Sequence, residues 1–355
     1  MTARPDASTE PRTGDPMTAT DDFTSLTGEY RAELLVHCYR MLGSADEAED
    51  VVQETYLRAW RGFSAFEGRS SVRTWLYRIS TNACLTAIER RGRRPLPSGV
   101  GAPGEDPRAP VRPAPDVPWL QPMPGAWLRE TPDDPAEVAA ARAGTRLALV
   151  AAWQYLPARQ RAFLILRDVL DWPAAEVADL LDTSTTAVNS GLRRARALVA
   201  RTLPAQDDVA EPAGHRERAL LDRFAAAFEA ADVAALATLL RDDVVLEMPP
   251  LPAWFTGRGA VLTFVAEKIL TTRGRFLLRP AEANGQPAFA TYQRGGDGAY
   301  RAHAVQVLTV TPGGIARLDI FLDPGLFRLF GLPQHLDELV AGGAATAGSA
   351  AGLSG

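Results

Sequence analysis

Two cysteines, Cys38 and Cys84, and four histidines are all that 355 residues offer for a disulfide framework or a zinc site. So few point instead to a reducing, cytoplasmic setting. Apolar runs fall far short of the roughly 20 residues that a membrane span needs, so no membrane partner is expected. The opening stretch MTARPDASTEPRTGDP has no apolar core and does not read as a secretory signal. Phosphate loops, nucleophile elbows and metal-ligand spacings are missing too, so no cofactor, no metal and no enzymatic activity are expected. What is present is 46% hydrophobic and 23% charged residues, a globular composition, in a chain long enough for two or three domains. A net charge of −5 argues, as an average, against a nucleic-acid partner; its distribution argues the other way.

Proline sets the organisation. Residues 1–22 are polar and Pro/Thr/Asp-rich and read as a disordered leader. From Phe23 to Arg94 there is no proline and the periodicity is helical, which sets a first domain at 23–95. Residues 95–135 then hold 12 prolines and 4 glycines, which neither a helix nor a central strand tolerates; 96–135 is expected to be an extended linker. Helical patterning resumes near Ala136 and ends at Leu203–Pro204, a second domain at 136–204. After the polar break AQDDVAEPAG, residues 215–333 open with a helix and change to period-two segments such as AHAVQVLTV and IARLDIFLD. Residues 334–355, rich in Ala, Gly and Ser, read as a flexible tail.

Ser44-Ala-Asp-Glu47 is a capping box, in which hydroxyl and carboxylate each satisfy an orphan amide. The helix behind it projects Ala48, Val51, Val52, Thr55 and Ala59 to one face and Glu47, Asp50, Glu54, Arg58 and Arg61 to the other. By charge alone that second face is a solvated one. The next helix, SSVRTWLYRISTNACL, carries an apolar stripe of Val72, Trp75, Leu76, Ile79 and Ala83. Arg73, Thr74, Tyr77, Arg78, Thr81 and Asn82 are expected to lie outward. Nine arginines against two acids between Arg58 and Arg94, interleaved with an aromatic, suit melted nucleic acid.

The second domain reads as helix-turn-helix. Val177, Leu180 and Leu181 hold the first helix, Asp182–Ser184 turn with Ser184 as N-cap, and Val188, Leu192, Ala195 and Val199 face the core of the last helix. Thr186, Asn189, Ser190, Arg193 and Arg194 then face outward: short hydrogen-bonding groups first, arginines behind them, as base edges and phosphates require. The bland alternative is a three-helix bundle with a basic face.

The strings AEDVVQETYLRAW, FEGRSSVRTWLYRISTNACL and LPARQRAFLILRDVLDWPAAEVADLLDTSTTAVNSGLRRARA together resemble the extracytoplasmic-function sigma factors of the sigma-70 family, over about 140 residues. The resemblance implies core RNA polymerase and promoter DNA as partners. Asp50, Gln53 and Glu54 would dock on polymerase. Arg73, Thr74, Tyr77, Arg78, Thr81 and Asn82, with the FEGRSS loop, would read the −10 element; Thr186, Asn189, Ser190, Arg193 and Arg194 would read the −35 element. It also implies that the linker runs toward the polymerase active-site channel. Residues 215–333 resemble the SnoaL-like cone fold appended to some of these factors, where it acts as a built-in regulator in place of an anti-sigma partner. DPGLF at Asp323–Phe327 falls where fused relatives carry an Asn-Pro-Asp-Lys-Leu-type motif and keeps little of it.

The expected fold is therefore multidomain: two all-α domains, the second a helix-turn-helix, and a C-terminal α+β cone. A curled sheet capped by helices encloses an apolar pocket open to an unidentified small ligand. Candidate lining residues are Glu247, Trp254, Arg258, Tyr292, His303 and Asp319, with His303 and Asp319 a conceivable acid–base pair or, more plainly, a core histidine and a strand-edge carboxylate. Two rival readings remain: a ligand-processing enzyme fused to a DNA-binding module, and a helix-turn-helix repressor that senses a small molecule. Neither needs the AEDVVQE surface.

Overall fold

The computed structural model describes residues 23–68, 70–129, 144–202 and 214–336. The leader at 1–22 and the tail beyond residue 336 lie outside them. Helices Arg31–Leu42, Ala45–Gly62 and Val72–Arg91 form the first domain. Gly43 ends the first of these at φ +70, a conformation glycine adopts without steric cost. Ser44 starts the second by accepting a hydrogen bond from the Glu47 amide at 3.3 Å. The other half of the expected capping box is absent: the Glu47 carboxylate turns away, 8% exposed, to meet Arg91 and Arg94.

The second domain comprises Leu147–Trp153, Ala158–Leu164 running on through a π-helical turn, Ala174–Leu180 and Thr185–Thr202. Ser184 caps the last helix through the Ala187 amide (3.1 Å), and Asp182 makes the turn at φ +47. Val177, Leu180, Leu181, Val188, Leu192 and Ala195 are all buried, as their spacing requires. A Cβ on Gly191 would sit 2.5 Å from the Phe163 ring, so glycine is what lets these helices meet.

The third domain is a seven-stranded sheet in the order β2-β1-β6-β5-β4-β3, with β7 beside β5. The strands are β1 Leu240–Glu247, β2 Trp254–Thr256, β3 Phe276–Ala283, β4 Gln286–Arg294, β5 Tyr300–Thr311, β6 Gly314–Phe321 and β7 His335–Leu336. All pairs are antiparallel except β1 with β6. Strand β7 reaches three residues into the stretch expected to be tail. Alternation along the strands gives the sheet two apolar faces. Leu278, Phe289, Ala304 and Ile320 face helices His215–Glu229 and Arg258–Phe264. Val305, Val307, Tyr292 and Phe321 face the other way, into one continuous core with both helical domains.

The linker lies on this body along its described residues, 96–129; its end at 130–135 and the expected start of the second domain at 136–143 lie outside the described residues. The Ser98, Gly104 and Ala114 amides donate to Glu247, Trp254 and Pro250 of the third domain. Leu120 then returns to the first domain, within 2.7 Å of where a Gly43 Cβ would stand, and Gln121 bonds Ser44 and Asp46. Its proline content excluded a helix, but short surface-bound turns, a one-bond bridge from Pro124 to Ala283 and a single helical turn, Ala126–Arg129, satisfy its backbone instead.

Candidate functional site

Asp50 and Gln53 lie exposed on the acidic helix Ala45–Gly62, and half-buried Glu54 pairs with Arg58 at 2.7 Å. Leu57 and Trp60, at 47% and 41% exposure, continue that face seven and ten residues beyond Asp50. Large apolar side chains beside a carboxylate row are the mark of a contact surface. The same projection that selected Asp50 would have found them.

On the basic helix Val72–Arg91 the expectation of an outward face fails for two residues. Tyr77 and Thr81 are wholly buried. Thr81 meets the His37 Nε2 of helix Arg31–Leu42 at 2.9 Å, and burial, with Arg40 nearby, pushes the His37 pKa down to about 3, so the ring is neutral. Tyr77 lies between His37 and Trp172 of the second domain, with ring centroids 4.9 and 5.0 Å away. Burial raises its hydroxyl well above the ordinary value. Arg73 forks onto Glu33 (2.9 and 3.0 Å) and also lies over the Tyr77 and Trp172 rings, and Arg78 donates to the Asp179 carbonyl at 2.9 Å. Thr74 stays at the helix start, hydrogen-bonded by Ser71, and Asn82 is exposed. Two of the six residues are thus sealed, and two more are engaged by protein. The reason is partners that periodicity cannot reveal: helix Arg31–Leu42 covers Thr81 and holds Arg73, and the second domain closes over Tyr77 and engages Arg78.

The last helix, Thr185–Thr202, does present its face. Thr186, Asn189, Arg193 and Arg194 are exposed and Ser190 is half-buried. Arg196, one position off that face, is tied to Asp168 at 2.6 Å.

The third domain holds a cavity of about 230 Å³, and of the expected lining residues only His303 reaches it. A β-bulge, with Thr291 facing Ala304 and Tyr292 facing Ala302, makes His303 the extra residue. Burial, then Arg275, lowers its pKa. Tyr292 points to the opposite face, against Phe327 of the DPGLF stretch, and bonds the Pro333 carbonyl. Trp254 donates to the Gly101 carbonyl of the linker, and exposed Arg258 pairs with Asp242. Asp319 lies between the inward Leu318 and Ile320, on the far face from His303, so the acid–base pair does not form. It joins Glu247 on either side of Arg317, 2.9 Å from Asp319. Burial and the second carboxylate outweigh the guanidinium and push Asp319 up to about 6.

Asn284, unmarked by any sequence signal beyond its turn-forming Asn-Gly, is where the parts meet. Its amide donates to the Tyr39 hydroxyl of the first domain (2.8 Å) and the Thr145 carbonyl at the edge of the second (2.7 Å). Its oxygen accepts from Met123 of the linker at 2.8 Å. Two buried arginines bridge the helical domains as well. Arg40 donates to Gly144, while Arg161 donates to the Met41 carbonyl; burial lowers each to about 10. Among the described residues no group of side chains could hold a metal ion, and no helix is long and apolar enough to cross a membrane.

Family models match in the same three blocks: sigma-70 region 2 at 26–94, sigma-70 region 4 at 146–199 and a SnoaL-like domain at 221–318. The chain is 46% identical over 317 residues to the ECF RNA polymerase sigma factor SigG of Mycobacterium tuberculosis, covering 89% of this chain and 85% of that one. It is 38% identical over 71 residues to SigW of Bacillus subtilis, 20% of this chain and 38% of the other. The crystal structure of the Mycobacterium tuberculosis extracytoplasmic function sigma factor SigJ has a similar fold. Its TM-score is 0.55 at 24% identity, over 88% of this chain and all of that one.

Proposed function

The chain belongs to the extracytoplasmic-function sigma factors of the sigma-70 family, and we propose that its third domain regulates it by holding a closed form. As a sigma factor it binds core RNA polymerase and directs promoter recognition and transcription initiation. Asp50, Gln53 and Glu54, joined by Leu57 and Trp60, dock on core polymerase. Arg73, Thr74, Tyr77, Arg78, Thr81 and Asn82 belong to the −10 reader, and Thr186, Asn189, Ser190, Arg193 and Arg194 to the −35 reader.

One observation carries the regulatory reading: Trp172 of the −35 domain covers the Tyr77 ring of the −10 reader, and the Asp179 carbonyl holds exposed Arg78 beside it. A base cannot stack on a ring that already has a partner on it. The −10 face must therefore separate from the −35 domain before it reads melted DNA. The buried arginines suit that cycle, since guanidinium groups held by carbonyl oxygens bear a desolvation cost that an apolar interface would not. Asn284 and the linker make the third domain a clamp on both halves. No catalytic step is assigned to it, because His303 and Asp319 lie on opposite faces.

The test is transcription from genomic DNA by core polymerase with the full chain and with a chain ending at residue 204. Distinct transcripts for each factor, together with unimpaired transcription by His303→Ala and Asp319→Ala, support regulation without turnover. Identical transcription by full and shortened chains, with a His303-dependent conversion of a metabolite, would establish the enzyme reading instead.

A further inference from the structure

The cavity of the third domain is graded from mouth to floor. Its walls are apolar, with Phe228, Phe264 and Ile320 among them. At the floor lie Thr291 and Gln306, each 1% exposed. Gln306 Nε2 donates to Thr291 Oγ1 at 2.8 Å, and Gln306 Oε1 has no partner. At the mouth are Arg275 and exposed Lys268, the only lysine in the chain. Among the described residues no aspartate or glutamate lines the cavity. Two cations beside a largely apolar hollow favour a negative head group on an apolar body. A buried acceptor without a donor asks for a hydroxyl or N–H at the far end of that body.

The linker supplies part of the wall. Val111 lines the cavity, and the strap around it is fastened by Arg108 to Glu267 (2.9 Å) and by the Ala114 amide to the Pro250 carbonyl (2.8 Å). Glu267 is the chain neighbour of Lys268, so strap and mouth share one turn of backbone. The strap is also the chain that joins the two DNA-reading domains.

We propose that this cavity binds a small apolar carboxylate bearing a hydrogen-bond donor at its far end, with the Val111 strap as its lid. The head group pairs with Lys268 and Arg275, the body fills the hollow, and the donor meets Gln306 Oε1. The consequence for transcription rests on the regulatory reading above; the binding itself does not.

Calorimetry on the full chain tests it with three probes: octanoate, 8-hydroxyoctanoate and octylammonium. Octanoate should bind one to one, 8-hydroxyoctanoate more tightly, and octylammonium not at all. Lys268→Glu should weaken octanoate by about tenfold or more, as the loss of a charge-assisted bond implies. Gln306→Leu should erase the preference for the hydroxylated probe and keep octanoate binding; Thr291→Val serves if that variant fails to fold. Saturating octanoate should slow tryptic cleavage after Arg108. Equal binding of octylammonium, or octanoate binding indifferent to Lys268→Glu, overturns the site, and unchanged cleavage overturns the lid. A chain that ignores octanoate but still differs in transcription from its shortened form would refute the ligand and leave the regulator standing.

Discussion

The helices Val72–Arg91 and Thr185–Thr202 carry similar chemistry, arginines among short hydrogen-bonding side chains, yet they stand in opposite situations. The first has its ring and one threonine at zero exposure and Arg78 engaged by the other domain. The second offers Thr186, Asn189, Arg193 and Arg194 to solvent. On the reading proposed above, duplex DNA could reach the −35 face in this conformation, whereas a melted base could not stack on the sealed Tyr77 ring. Single-stranded DNA is available only once polymerase has opened the promoter, so covering that face first costs the search for a duplex site nothing. On the same reading, it also withholds the Tyr77 ring from chance stacking on any single strand.

Breaking the clamp should have the largest effect on this asymmetry. Asn284→Asp keeps the acceptor for the Met123 amide but loses the donors to Tyr39 and Thr145 and sets a carboxylate against a carbonyl. The cost to the closed form should be ~2–5 kcal/mol. Asn284 holds φ +57, which aspartate also tolerates, so backbone strain does not confuse the result. The variant should bind a fluorescent non-template −10 oligonucleotide that wild type ignores, with −35 duplex binding unchanged. Equal oligonucleotide binding by the two proteins would show that the third domain does not guard that face.

Reversing Asp50 and Glu54 to Arg tests a surface that the closure leaves open. Association with core polymerase should weaken by ~2 kcal/mol or more. The thermal midpoint should fall only slightly, because Asp50 is exposed and Glu54 loses only a surface i,i+4 pair with Arg58, worth under ~1 kcal/mol. Pull-down with unchanged affinity removes the polymerase assignment. Arg193→Ala asks the equivalent question of the −35 helix. If Arg193 forks onto a guanine, specific binding falls by ~1–3 kcal/mol and specificity relaxes at that position. If it holds a phosphate, all sequences weaken alike and the salt slope shrinks by ~1. Holoenzyme that binds its promoter normally after this substitution rules out both.

The same asymmetry marks how far the sequence could be read. Spacing placed Val188, Leu192 and Ala195 inward and Asn189 and Arg193 outward because that helix packs along one face against helices of its own domain, and one apolar stripe describes it. Tyr77 and Thr81 defeated the same logic, since their helix is covered from two directions by His37 and Trp172, more than a hundred residues of chain apart from one another. Polar contacts across such distances leave no periodic trace. The cone domain was legible in its strands but not in its pocket. A one-residue bulge at His303 resets which side chains face inward, and Asp319 and Tyr292, plausible by type, fall on the other face. The linker's prolines said what it could not be, and its docking depends on partners as remote as Glu247.

The smallest expected effect concerns the carboxylate pair beside that docking point. Asp319 sits near 3.9 in an unfolded chain and about 6 in the folded one, raised by burial and by Glu247 against the pull of Arg317. A folded value above the unfolded one means that the native state takes up a proton. Its stabilising contribution is complete below pH ~4 and is lost as pH rises through about 6. Between pH 5 and 7.5 this group should therefore withdraw about 1 kcal/mol. Arg317 stays charged throughout and adds no slope. Asp319→Asn abolishes the titration, so its thermal midpoint should fall less than wild type's over that interval, by a few degrees at most. Ser98 of the linker donates to Glu247 in the same cluster, so the slope reports on the contact between linker and third domain. Parallel midpoint-against-pH curves for the two proteins would mean that Asp319 is already ionised at pH 5 and that Arg317 outweighs its burial.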